Sequence, residues 1–409
     1  MKRRPSALTT ALLLAATVPQ LGMNMIVPAL PQLGASLNID GSSQPFVITV
    51  YLVGYAVAVL FSGTLADRFG ARRVHLFGSA LFCLCSLLAL VAPGLGALLV
   101  LRFIQAASIG GITVIARLLA KQLYPDSQQV GIITTLALVV ALTPALAPLA
   151  GGTILLVTHW PAIFLVQALI GLVSFVLFWR HVPDPKTANV AASAVGIPAQ
   201  PPGNQPSTSP PQEPPAQQIR QTLSEARNPA FCHYALAISL ISMSQIFFLA
   251  NSAYPMQAEQ RLSGSQYGLM LGLITAGFVI GTQLTRLGMP RLGLHRLLKT
   301  ASGLAAACGL LMIILAHLWP DAALSLGAPM FGIMLSVGII VPATQAGLLN
   351  IPARHPGMLA SLFFFMQIVA STLYGMSAKF ISMDIPSLAI GTALPCLLLG
   401  LMAKWRRVA

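Results

Sequence analysis

Gly63-Thr64-Leu65-Ala66-Asp67-Arg68-Phe69-Gly70-Ala71-Arg72-Arg73 separates two long apolar runs, about 45–65 and 74–94, and sets one acid among three arginines. Its glycines permit a tight turn and close approach of the flanking helices. A degenerate copy, Arg291-Leu292-Gly293-Leu294-His295-Arg296, follows the eighth apolar run of the chain. Laid on the first copy, Arg291, Leu292, Gly293 and Arg296 fall on Arg68, Phe69, Gly70 and Arg73, while His295 takes the place of Arg72 and Pro290 that of Asp67. One loop recurring at the equivalent point of two halves reads as an internal duplication, the pattern of many membrane transporters.

A helix needs about 20 mostly apolar residues to cross roughly 30 Å of hydrocarbon. Twelve such runs occur, at about 7–30, 45–65, 74–94, 97–118, 131–156, 160–179, 229–252, 266–288, 297–318, 322–345, 357–380 and 385–404. The expected fold is therefore an all-α membrane protein of twelve transmembrane helices in two pseudo-symmetric six-helix bundles. The bundles take residues 1–182 and 229–409. Between them, residues 183–228 are dense in Pro, Gln, Ser and Ala, a composition that cannot bury a core and reads as a mobile linker with polyproline character.

Composition agrees. Of 409 residues 56% are hydrophobic and only 8% charged, with a mean hydropathy of +0.80. A soluble surface cannot be built from so few charges, since an average soluble domain carries about 25%. That excludes a soluble enzyme, a nucleic-acid binder and a disordered scaffold, despite a net charge of +14. All but Arg102, Arg261 and Lys379 of the 23 Lys and Arg fall on the side that holds both termini. By the positive-inside rule both termini and the linker are expected in the cytoplasm, with the chain multi-pass in the cell inner (plasma) membrane. The Lys2-Arg3-Arg4 start imitates a secretory signal, but the apolar run continues to Pro28 and reads as a retained first helix. Five cysteines lie scattered in apolar segments without metal-ligand spacing, so neither a metal site nor any cofactor is expected.

At the residues quoted above the chain resembles the major facilitator superfamily, whose loop signature reads G-x-L-x-D-R-x-G-R-[RK]; only the first Arg of the closing pair is altered, to Ala71. The resemblance continues outward. Leu101-Arg102-Phe103-Ile104-Gln105 is similar to the R-x-x-Q-G motif of span four, with Ala106 for its Gly. Ala147-Pro148-Leu149-Ala150-Gly151-Gly152 is similar to the G-P-x-x-G-G motif of span five, which marks the drug/proton antiporter branch. Pro28-Ala29-Leu30-Pro31 and Ser252-Ala253-Tyr254-Pro255 resemble chloramphenicol- and bicyclomycin-resistance-type exporters. The resemblance implies a monomeric transporter in the lipid bilayer, with a small-molecule substrate and with protons as coupling ion.

Three groups of residues are candidates for the work of transport. Gly63, Asp67, Arg68, Gly70, Arg72 and Arg73 form a candidate gating latch, with Asp67 suited to a helix N-terminus or an Arg across the half-to-half interface. For the arginines, simple obedience to membrane topology is an equal reading. Pro144, Pro148, Gly151 and Gly152 bend span five and admit a close neighbour. Polar groups stranded in apolar runs are candidates for a substrate or proton pathway: Gln20, Asn24, Tyr51, Tyr55, Arg102, Gln105, Gln245, Asn251, Gln345, Gln367 and Tyr374. A charge such as Arg102 in mid-membrane costs on the order of 3 kcal/mol unless paired or hydrated, so it is expected to face a cavity or to snorkel outward.

One departure limits the resemblance. Proton antiport needs a group that titrates inside the membrane, and family members commonly carry an Asp where this chain has Asn24; an acid is also lacking after Arg117, which Leu118 follows. His233 and His317 stand near span ends and are weak substitutes. Three readings remain. The first is an exporter of small, largely apolar or amphipathic molecules, such as drugs or a secreted metabolite like a siderophore, proton-linked through Asp67 or through substrate charge. The second is an uncoupled facilitator or importer on the same fold. The third, from another class, is a non-transporting membrane scaffold whose linker recruits a partner.

Overall fold

The computed structural model describes residues 7–183, 224–352, 356–380 and 384–402. Of the expected linker, 183–228, residues 184–223 fall outside them. Among the described residues the chain is helical and without strands. The helices are α1 (Ala7–Asn24), α2 (Leu30–Ser36), α3 (Phe46–Phe69), α4 (Ala71–Ala89), α5 (Leu95–Ile109), α6 (Ile112–Leu123), α7 (Asp126–Ile154) and α8 (Pro161–His181), then α9 (Pro229–Asn251), α10 (Ala253–Ala258), α11 (Gly264–Leu318), α12 (Ala323–Leu349), α13 (Pro356–Met376) and α14 (Ile385–Met402).

Helix occupies every one of the twelve apolar runs. By length and hydropathy alone seven of these helices suffice to cross a bilayer, and an eighth if the halves of α7, Gly131–Pro144 and Leu146–Ile154, bent by 44°, count as one. Two runs differ from the expectation. The fourth is divided at Gly110-Gly111 into α5 and α6, and the first ends early, at Asn24, before a short turn and α2. Conversely, the eighth and ninth runs are continuous in α11, whose 55 residues contain one non-helical residue, Gly293. At about 1.5 Å per residue a straight helix of that length would far exceed the bilayer, so the break at Gly293 is needed for it to fold back.

The glycines show why. Among the described residues those with positive φ are Gly70 (φ 89°) and Gly293 (φ 72°), the pair that the loop repeat aligns. An L side chain there would sit against its own carbonyl, so only glycine makes the turn cheaply. Gly54 and Gly277 precede those turns by the same number of residues. A Cβ on Gly54 would meet Phe103 O at 2.4 Å, and one on Gly277 would meet Phe331 O at 2.5 Å. Each half thus packs a helix backbone against backbone through a glycine at the equivalent place, as small residues allow in membranes.

Arg72, expected in the latch, is bonded to the end of α8. Its Nε donates to Val182 O at 2.6 Å and its Nη2 to Trp179 O at 2.7 Å, which satisfies carbonyls at the end of α8 and places a cation at the negative end of that helix.

Candidate functional site

A cavity of about 450 Å³ lies between the helices, lined by α1, α3, α7, α9, α11, α12 and α13. Both halves of the sequence contribute. The breaks that end α1 and α9 shape it. At each break an asparagine turns its amide back: Asn24 Nδ2 donates to Gln20 O at 2.9 Å and Asn251 Nδ2 to Phe247 O at 2.8 Å. Each stands four residues before a proline, Pro28 or Pro255. The two asparagines are therefore equivalent in position and in bonding, a relation the loop repeat alone did not disclose.

Seven of the eleven pathway candidates meet on the wall of this cavity: Gln20, Asn24, Tyr51, Tyr55, Gln245, Gln345 and Gln367. Pro144 joins them, so the span-five bend shapes the cavity as well as the interface. Several are held in place by the fold. Tyr51 Oη donates to Pro19 O at 2.9 Å, Gln367 Nε2 donates to Ser242 Oγ at 2.8 Å, and Asn24 Nδ2 reaches Gln20 Oε1 at 3.3 Å. Among the described residues Gln245 and Gln345 have no side-chain hydrogen bond, so their amides face open space.

Four candidates stand outside the cavity. Arg102 is fully buried behind Tyr51, its Cζ 4.2 Å from the centre of that ring and 5.8 Å from that of Phe164. Its Nη1 donates to Gly22 O at 2.9 Å and to Gln105 Oε1 at 2.7 Å, and its Nε to Val47 O at 3.3 Å. Gln105 Nε2 extends the network to Ser86 Oγ and Gln167 Oε1. Two backbone carbonyls and one amide oxygen thus solvate Nε and Nη1, while Nη2 is buried with no partner and no carboxylate bonds the group among the described residues. Arg102 is neither exposed on the protein surface nor on the cavity wall. Asn251 donates also to Gly375 O at 3.4 Å, and Tyr374 Oη donates to Gly391 O at 2.8 Å; both tie helices together outside the cavity. His233 and His317 do not line it either; His317 Nδ1 bonds to Ile313 O on its own helix.

The span-five motif sits where α7 crosses its neighbours. A Cβ on Gly151 would lie 2.0 Å from Met25 O, and one on Gly268 2.7 Å from Pro148 O and 3.0 Å from Gly152 Cα. Side chains larger than hydrogen would force α7 away from the end of α1 and from α11. On the same side Gln257 Nε2 of α10 donates to Pro28 O at 3.0 Å, a bond between the two halves of the chain. Of the latch group, Gly63 and Asp67 lie on α3, and the side chain of Asp67, with any latch contact it makes, lies outside the described residues. Arg68 covers the Phe69 ring at 5.3 Å, and Arg73 lines a separate, largely apolar cleft between α3, α4, α5 and α6.

A bundle of helices that repeats its packing in two halves around a shared cavity defines the class of membrane transporters built by duplication. The chain belongs to the Major Facilitator Superfamily, whose sequence pattern matches residues 12–405. Among curated relatives it is similar to the multidrug resistance protein MdtL of Shewanella oneidensis, 32% identical over 38% of this chain and 39% of that protein. It is also similar to the multidrug transporter MdfA of Yersinia pestis bv. Antiqua, 26% identical over 78% of this chain and 75% of that one. In solved structures it shares the fold of the xylose transporter XylE from E. coli in a partially occluded inward-open conformation, with a TM-score of 0.74, 14% identity and coverage of 98% and 99% of the two chains.

Proposed function

We propose that this chain exports small, largely apolar or amphipathic organic molecules, a drug or a secreted metabolite, by alternating access. The reading further places it in the inner membrane with both termini in the cytoplasm, its bundles at 1–182 and 229–409 working as a monomer around the cavity. The observation that carries it is the cavity itself, roughly 450 Å³ of mostly apolar wall with polar handles from both halves, which is the usual make-up of a small-molecule site. The two relatives named as multidrug proteins support export. Rocking the halves would break the Gln257–Pro28 bond and part α7 from α11 on that side, while the Asp67 loop closes the other. Proton linkage would then run through Asp67.

The test is substrate movement in energised inverted vesicles across a broad drug panel. Uptake that requires the proton gradient is expected; no gradient-dependent movement of any compound would defeat the coupling. A second reading, an uncoupled facilitator, is favoured by Asn24, whose amide does not titrate and already serves as a donor to Gln20. Counterflow unchanged after the gradient is collapsed would support that reading, and lumen acidification on substrate addition would sink it.

A further inference from the structure

The polar groups on the cavity wall are uncharged carboxamides and hydroxyls. Five of its side chains are carboxamides, Gln20, Asn24, Gln245, Gln345 and Gln367, brought together from α1, α9, α12 and α13. Among the described residues no Asp or Glu lines it. On the lining helices the acids are Asp67 and Asp126, at least 12 residues from Tyr55 and Val140, the nearest lining residues of their own helices, or about 18 Å along the axis. A positive charge stands just behind the wall: Arg102, against the Tyr51 ring and without a carboxylate among its described partners. Tyr51 already gives a ring face to that guanidinium, so the same face is unavailable for cation–π capture of a ligand.

We propose that the cavity selects uncharged organic solutes that carry amide, carbonyl or hydroxyl groups beside an aromatic or aliphatic body, and rejects permanently cationic ones. The inference deepens the transport reading above and rests on it for the cavity being the substrate site. A carboxamide offers a donor and an acceptor with no net charge, so it matches a neutral polar group directly. Gln245 and Gln345 supply such pairs without an internal partner to displace. A quaternary ammonium entering the same space loses its hydration, finds no anion to replace it, and lies near the Arg102 charge. Neutral solutes meet neither cost. An anion would need Arg102 itself, which Tyr51 walls off.

The experiment uses the full-length protein in detergent and two matched series of probes: naphthyl and biphenyl acetamides, and the same aryl groups bearing trimethylammonium in place of the acetamide. Dissociation constants at neutral pH are expected to favour the acetamides by tenfold or more. Gln345→Glu and, independently, Gln20→Glu are expected to raise affinity for the trimethylammonium series at least tenfold, while Gln345→Leu gives no such gain. Wild-type protein that binds the cations as tightly as the acetamides overturns the proposal, as does binding of neither series or failure of both glutamate variants to gain cation affinity. Flux of the bound acetamides in vesicles separates the two claims. Charge-selective binding without flux leaves the selectivity standing and removes export. Cations carried as well as acetamides removes the selectivity and leaves export.

Discussion

Arg102 shows how a residue can be found from sequence and still be misplaced by it. A lone basic residue in an apolar run has to be solvated by something, and a water-lined cavity is the simplest candidate. The fold supplies instead Gly22 O, Val47 O, Gln105 Oε1 and the Tyr51 face. Truncation by Arg102→Ala leaves these acceptors unpaired in a dry core, so a loss of about 2–4 kcal/mol is expected, read as a lowered Tm in detergent. Arg102→Lys keeps the charge but reaches fewer of the acceptors, and should recover only part of that loss. Asn24 reads differently once its bond is seen. Asn24→Asp installs the family's acid but removes the donor to Gln20 O, so the ionised variant should be less stable than wild type by about 1–3 kcal/mol, with the deficit narrowing at acidic pH. A variant as stable as wild type at neutral pH would show that the amide bond does not hold the break in α1.

At the scale of elements, caps and glycine contacts decide geometry. Asp384 Oδ1 accepts Ser387 N at 2.9 Å at the head of α14, and hydrogen bonds from Ser387 hold its carboxyl below the usual carboxylate range. An acid depressed in the folded state stabilises it above the unfolded pKa and loses that contribution as pH falls through the folded value. The cap is therefore expected to matter at neutral pH and to fade below about pH 4. Asp384→Ala should cost about 1 kcal/mol at neutral pH, visible as a Tm difference that shrinks on acidification. The α7 crossing makes a stronger test. Gly151→Leu would drive a side chain into Met25 O, where 2.0 Å is available to its Cβ. The expected result is overpacking of about 1–3 kcal/mol or more together with loss of transport, whereas leucine at the open position Gly303, with nothing near its Cβ, should leave Tm close to wild type. Apolar runs of the right length and their Gly-Pro punctuation made most helices legible in advance. The division of span four and the early end of α1 were not, because hydropathy is blind to a turn that stays apolar.

Over the whole molecule the two halves carry one design twice: Gly70 with Gly293, Gly54 with Gly277, Asn24 with Asn251. Only the first pair stood in a stretch similar enough to align by eye, since backbone-to-backbone packing and a helix-end amide constrain single positions and leave their neighbours free to diverge. The amino-acid sequence alone determined that the chain lives in lipid, which segments are helical, and that it resembles this superfamily, because scarcity of charge and the lengths of apolar runs are local properties. It also supplied the pool of polar residues from which a substrate site could be drawn. Only the tertiary structure decided that five carboxamides converge on one neutral cavity while Arg102, Asn251 and Tyr374 serve the packing around it. Which face of a helix meets which neighbour depends on distant glycines and breaks, and polarity within an apolar run is the same letter whether it faces a cavity or a carbonyl.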